Sequence, residues 1–115
     1  MSNGFQIGIE SAIAALPKAP AEQYTIVYRH GTFEAGLYAP RGMDDQTPHT
    51  RDEAYVVVKG SGEFLCGDSR RAFGPGELLF VPAGMVHRFE NFTSDLTVWV
   101  IFYGPQGGEH VEERA

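Results

Sequence analysis

From Tyr24 onward the apolar stretches of the chain are short, and each is cut by glycine, proline or aspartate. The cuts fall at His30-Gly31-Thr32, Gly60-Ser61-Gly62, Gly67-Asp68-Ser69 and Gly74-Pro75-Gly76. Glycine enters left-handed turns without a Cβ clash, and proline can neither donate to a ladder nor continue a helix. Runs this short, rich in valine and aromatic residues and bounded in this way, read as strands. They are YTIVYR (24–29) and FEAGLYA (33–39), which form a hairpin, then AYVVVKG (54–60), GEFLCG (62–67), ELLFVP (77–82), VHRFEN (86–91) and LTVWVIFYG (96–104). The 14 glycines and 7 prolines are more turn-formers than a helical bundle carries, so the spacing predicts an all-β sandwich or small barrel.

One helix is expected ahead of the strands. Apolar residues at 9, 12, 13 and 16 share one face of a helix over Ile9–Leu16, which Pro17 ends. The expected organisation is an N-terminal helix and linker over 1–22, one β-domain over 23–104, and a polar, frayed tail over 105–115. A chain of 115 residues builds one core and not two.

Charge and cysteine content exclude several roles. A net charge of −6 and a pI near 5.1 remove the electrostatic basis for binding polyanions, so nucleic acid is not an expected partner. The single cysteine, Cys66, allows neither an internal disulfide nor a multi-thiolate metal site, and it reads as an inert core or interface residue. No apolar run approaches the ~20 residues that span a bilayer, so no membrane partner is expected. The N-terminal segment lacks a basic start, and Glu10 interrupts its apolar part; the expected compartment is the cytoplasm.

Chemistry concentrates in QTPHTRDEAYVVVKG (46–60), where His49 and Glu53 precede a valine run. In a straight strand four residues span ~13 Å, too far to share an ion, so a common site requires a bend across Thr50-Arg51-Asp52. By themselves the two residues fit a solvated loop better than a site. A second stretch, GELLFVPAGMVHRFEN (76–91), places Gly76, Pro82, Gly84, His87 and Asn91 at fixed offsets.

Together the two stretches resemble the paired signature motifs of the cupin family. Every named position of the second motif is met, and in the first Glu53 and Gly60 fit, with His49 on the second histidine. The position of the first histidine is Thr47, and the leading glycine is replaced by Pro40 or Arg41. The resemblance covers about Phe33 to Tyr103. It implies a double-stranded β-helix, the jelly-roll barrel of small bacterial-type cupins, and a reduced metal shell of His49, Glu53 and His87. Two imidazoles and a carboxylate with open positions suit a divalent transition metal: Fe, Mn, Zn, Ni or Co. Thr47 then stands where a fourth ligand is expected. The resemblance also implies a homodimer, with the N-terminal helix and the edge strand YTIVYR as natural contact surfaces.

If Glu53 points inward, strand alternation puts Tyr55 and Val57 beside it, and Phe89 and Asn91 beside His87. Val98, Val100 and Phe102 share one face of the last strand, and Gly36 and Tyr38, or else Leu37, line the barrel before the first motif. Tyr55 and Tyr38 are the candidate acid–base residues. Arg51 and Asp52 read as a solvated surface pair, and His30 and His110 as surface residues. Two functions compete. One is a metal-dependent enzyme acting on a small organic molecule, by dioxygenation or isomerisation; the other is a non-catalytic cupin that captures a small molecule or metal. A sensory domain of a transcription regulator lacks any supporting basic or helix-turn-helix segment.

Overall fold

In the computed structural model, residues 4–18 and 20–110 are described. The eight strands among them are β1 (Tyr24–His30), β2 (Phe33–Tyr38), β3 (Asp52–Lys59), β4 (Gly62–Cys66), β5 (Ser69–Phe73), β6 (Leu78–Val81), β7 (His87–Glu90) and β8 (Thr97–Tyr103). They pair antiparallel as one five-stranded sheet, β1-β2-β8-β3-β6, and one three-stranded sheet, β5-β4-β7. The core lies between the sheets, and alternation builds it: Tyr55 and Val57 from β3, Phe64 from β4, Phe89 from β7 and Val98 and Val100 from β8 all point inward. Each such side chain contributes ~1.5–3 kcal/mol by burial. Phe89 is the hub, with ring centroids 5.0 Å from Tyr55, 5.0 Å from Phe64 and 5.4 Å from Phe73.

The helix α1 (Ile9–Ala14) is two residues shorter than expected, because the chain at Ala15 and Leu16 closes into a tighter turn before Pro17. Its apolar face is the expected one: Ala12 is buried, Ile9, Ile13 and Leu16 are half-buried, and the other residues of 9–16 are exposed. Ala12 and Leu37 are both fully buried where α1 meets the outer face of β2.

Strand β5 has no counterpart in the expected pattern. SRRAF carries no apolar alternation because it is the edge of the small sheet, exposed at every residue except Phe73. Its cue is the two-residue turn Gly67-Asp68, with Gly67 at φ 58° in the first central position of a tight hairpin. The tail also differs. Residues 105–109 dock on the barrel instead of fraying: the Gly107 N–H donates to Thr50 O at 2.6 Å and the Glu109 N–H to Asp52 Oδ2 at 2.8 Å. The remainder of the tail, 111–115, lies outside the described residues. No described helix is long and apolar enough to cross a membrane.

Candidate metal centre

Strand β3 begins at Asp52, and the chain bends at Thr50 and Arg51 before it. That bend turns His49 back toward the barrel interior, where Glu53, the second residue of β3, already points. His87 opens β7 on the opposite sheet and follows the turn Pro82–Met85. Two hydrogen bonds lash the two segments together. The Gly84 N–H donates to His49 O at 2.7 Å, and the Ala83 N–H donates to the buried Asp52 carboxylate at 2.9 Å. Gly84 sits at φ 81°, a conformation that glycine alone adopts freely.

As a result, one donor atom from each of His49, Glu53 and His87 lies within 4.8 Å of the others. His87 Nε2 is 3.1 Å and His49 Nε2 3.7 Å from Glu53 Oε1. The other ring nitrogen of His87, Nδ1, is 2.9 Å from the Met85 carbonyl, which only accepts, so Nδ1 carries the proton. In the neutral ring the Nε2 lone pair therefore faces the carboxylate. Glu53 is 1% exposed, and its Oε1 has no aligned hydrogen-bond donor. A buried carboxylate oxygen aimed at two imidazoles and left without a donor is the arrangement a cation satisfies.

The two imidazoles titrate in opposite directions. Burial lowers the His49 pKa and the neighbouring His87 adds to this, against the attraction of Glu53. Burial also works to lower that of His87, but Glu53, the Met85 carbonyl and Asp44 outweigh it and raise the value.

Around this focus lies a network built on Asp44, which is 4% exposed. Its carboxylate accepts the Tyr38 O–H at 2.6 Å, the Gln46 amide at 2.8 Å and the Phe89 N–H at 2.8 Å. Gln46 Oε1 in turn accepts the Tyr55 O–H at 3.0 Å and lies 3.2 Å from His49 Nε2 and 3.1 Å from His87 Nε2. A cavity of ≈ 260 Å³ opens beside these groups, with Tyr24, Tyr38, Tyr55, Val100, Phe102 and, at its exposed rim, Glu22 among its walls. Burial pushes the Tyr24 phenol up to about 12, helped by the charges of Glu34 and Glu53. Burial likewise raises Tyr38, with Asp44 beside it, and Tyr55, with Glu53 beside it. Tyr24 is the one phenol of the three whose hydroxyl makes no hydrogen bond among the described residues.

The structure brings His49, Glu53 and His87 together and sets Tyr38 and Tyr55 on the same cavity. Phe89, Val98 and Val100 face inward as alternation predicts, whereas Asn91 does not. It lies beyond the end of β7 at φ 50°, is exposed, and donates to Glu63 Oε1 at 2.7 Å. Arg51 and Asp52 are not a surface pair. Arg51 binds Glu34 and the Thr32 carbonyl and lies 5.8 Å over the Phe102 ring, while Asp52 is buried as a backbone cap. His30 and His110 are exposed, as expected. Cys66 is partly buried, with its sulfur 3.3 Å from that of Met85, and burial raises its pKa. Thr47 is exposed, and the inward position near the histidines belongs to Gln46. Motif spacing pointed to Thr47 because it assumes strand alternation before His49. Pro48 lies in an irregular stretch where that alternation does not hold. Asp44 and Tyr24 were likewise not singled out, since acidic loop residues and strand tyrosines usually have surface or packing roles.

An antiparallel jelly-roll barrel with a histidine–glutamate–histidine cluster beside a small cavity is a barrel whose end could hold a metal ion. The chain belongs to the cupin family: the cupin-domain family model matches residues 36–103. A relative, an uncharacterized protein of Streptomyces coelicolor, is 35% identical over 85 residues, covering 72% of this chain and 81% of its own. Among solved structures, a cupin 2 conserved barrel domain protein of Salinispora arenicola superposes with a TM-score of 0.66 at 18% identity, over 89% of this chain and 91% of that one. Protein NMB1881 of Neisseria meningitidis superposes with a TM-score of 0.65 at 25% identity, over 87% of this chain and all (100%) of that one.

Proposed function

We propose that this cupin holds a divalent transition metal at His49, Glu53 and His87 and acts on a small organic molecule bound in the adjoining cavity. The observation that carries the reading is Glu53 Oε1, buried, without a donor, and facing two imidazole nitrogens. Fe, Mn, Zn, Ni and Co all accept this mixed nitrogen and oxygen set. Such an ion, when bound, polarises a ligand oxygen, and iron also supplies O2 chemistry.

The chain's own residues supply binding and orientation. Val100 and Phe102 form an apolar wall, and the Tyr24 hydroxyl is free to hydrogen-bond a ligand. No lysine or arginine lines the cavity among the described residues, and Arg51 outside it is neutralised by Glu34. The lining therefore selects an uncharged, partly aromatic molecule over a phosphate ester. Tyr38 and Tyr55 both donate their protons inward, to Asp44 and Gln46, and so position the site instead of exchanging protons with the ligand. Isomerisation needs a base facing the substrate, and outside the proposed ligands the carboxylate at hand is Glu22 on the exposed rim, so oxygenation is the better supported of the two reactions.

The same inward hydrogen bonds favour a second reading, non-catalytic capture of a small molecule or metal. Elemental analysis of protein purified without chelators, followed by oxygen uptake with neutral phenols, tests the choice. Near-stoichiometric iron or manganese with substrate-dependent uptake supports oxygenation. Bound metal with no turnover of any substrate supports capture, and absence of metal after reconstitution rejects both metal readings.

We also propose that two copies pair through the outer face beside edge strand β1. Phe5 stacks on Tyr28 there with centroids 4.3 Å apart, and Phe5 and Phe33 remain 50% and 38% exposed.

A further inference from the structure

Cupin motif spacing leaves Thr47 in the place of a histidine, yet Thr47 is exposed and its neighbour Gln46 turns inward. We propose that the Gln46 carboxamide oxygen is the fourth protein ligand of the metal, an inference that rests on the metal reading above. A glutamine can present either its oxygen or its NH2 group, and here the choice is decided by chemistry. Gln46 Nε2 lies 2.8 Å from the Asp44 carboxylate, which can only accept, so the NH2 group points to Asp44 and the oxygen points to the histidines. Asp44 is itself fixed by the Tyr38 O–H and the Phe89 N–H, which makes the orientation a property of the barrel and not of a free loop.

With His87 neutral, this oxygen faces a lone pair as well as a donor. It accepts the Tyr55 O–H, but it also lies 3.1 Å from His87 Nε2, the nitrogen that bears the lone pair when Nδ1–H serves Met85. Gln46 Oε1, Glu53 Oε1 and His87 Nε2 are thus three acceptors directed at one point, with His49 Nε2 beside them. A cation gives all of them a shared partner. The donor set becomes two nitrogens and two oxygens, and replacing an imidazole by a neutral, hard oxygen shifts selectivity toward Mn2+ and Fe2+ and away from Zn2+. It also makes this ligand the weakest of the four.

The test uses the full chain, stripped of metal and titrated with Mn2+ (free ion followed by electron paramagnetic resonance) and with Co2+ (followed by its visible absorption). Gln46→Met keeps the side-chain volume and removes the hard donor; Gln46→Glu keeps the oxygen and adds charge. We expect Mn2+ affinity to fall about tenfold or more in Gln46→Met, a size typical of disturbing a metal shell. The Co2+ bands should shift in both variants. Circular dichroism confirms that each variant is folded. Mn2+ affinity and Co2+ bands unchanged in both variants, while His87→Ala abolishes binding, would overturn the assignment and leave the metal reading standing. A folded wild-type protein that takes up neither ion would overturn both.

Discussion

Asp44 carries three hydrogen bonds on one buried carboxylate, and each ties it to a different part of the site. Removing it strands the buried Phe89 N–H and the Tyr38 O–H, so Asp44→Ala should destabilise the fold by ~2–4 kcal/mol, read by urea denaturation. Glu34, paired with Arg29 and Arg51, makes a pH-dependent contribution. Its carboxyl is held below the usual range chiefly by the hydrogen bond from Arg29, with Arg51 adding and burial opposing. A lowered folded-state pKa means the stabilisation is present above the ordinary carboxylate value and lost as pH falls through the folded one. Glu34→Gln should therefore lower the melting temperature near neutral pH and have little effect in strong acid; an equal loss at both would contradict this. At this scale the sequence was only partly readable. His49, Glu53 and His87 stood out because motif offsets mark them. Gln46, Asp44 and Tyr24 did not, because their roles arise from contacts across the barrel that spacing cannot encode.

The elements were more legible than the residues. Six of the seven expected strands are found from short runs rich in valine and aromatic residues and cut by glycine, proline or aspartate, and alternation then places Tyr55, Val57, Phe89, Val98 and Val100 inward. The seventh, YTIVYR, is an edge strand with half-buried residues on both faces, found from its turn and its β-branched content. SRRAF escaped because an exposed edge needs no apolar face. The connection after β3 is also strict. Gly60 sits at φ 95°, and a Cβ there would lie 2.6 Å from Leu96 Cα, backbone that has no room to move. Gly60→Ala should cost more than the ~1 kcal/mol of an ordinary glycine exchange, since it adds a clash to a disfavoured φ. Chemical denaturation checks this, and a neutral result would show that the β3–β4 turn can shift.

At the scale of the whole molecule, two sheets close over an aromatic core and leave polar groups at one end, where the large sheet supplies Glu53 and the small sheet His87. Docking of two such barrels through the β1 edge should be broken by Phe33→Glu, which sedimentation velocity would show as a monomer; a wild-type monomer at micromolar concentration would rule the pairing out. Because the ligands come from both sheets, metal should bind the folded state alone and stabilise it. At a free concentration of about a hundred times Kd the gain is ~2.7 kcal/mol, or roughly 10 °C in melting temperature for a domain of this size. The most direct test is calorimetric titration of the metal-free chain with Mn2+. One ion bound per chain in the wild type, and none in folded His87→Ala or Glu53→Ala, is the predicted result. A folded wild-type chain that binds no ion, or variants that bind it as tightly as the wild type, would contradict a metal centre at His49, Glu53 and His87.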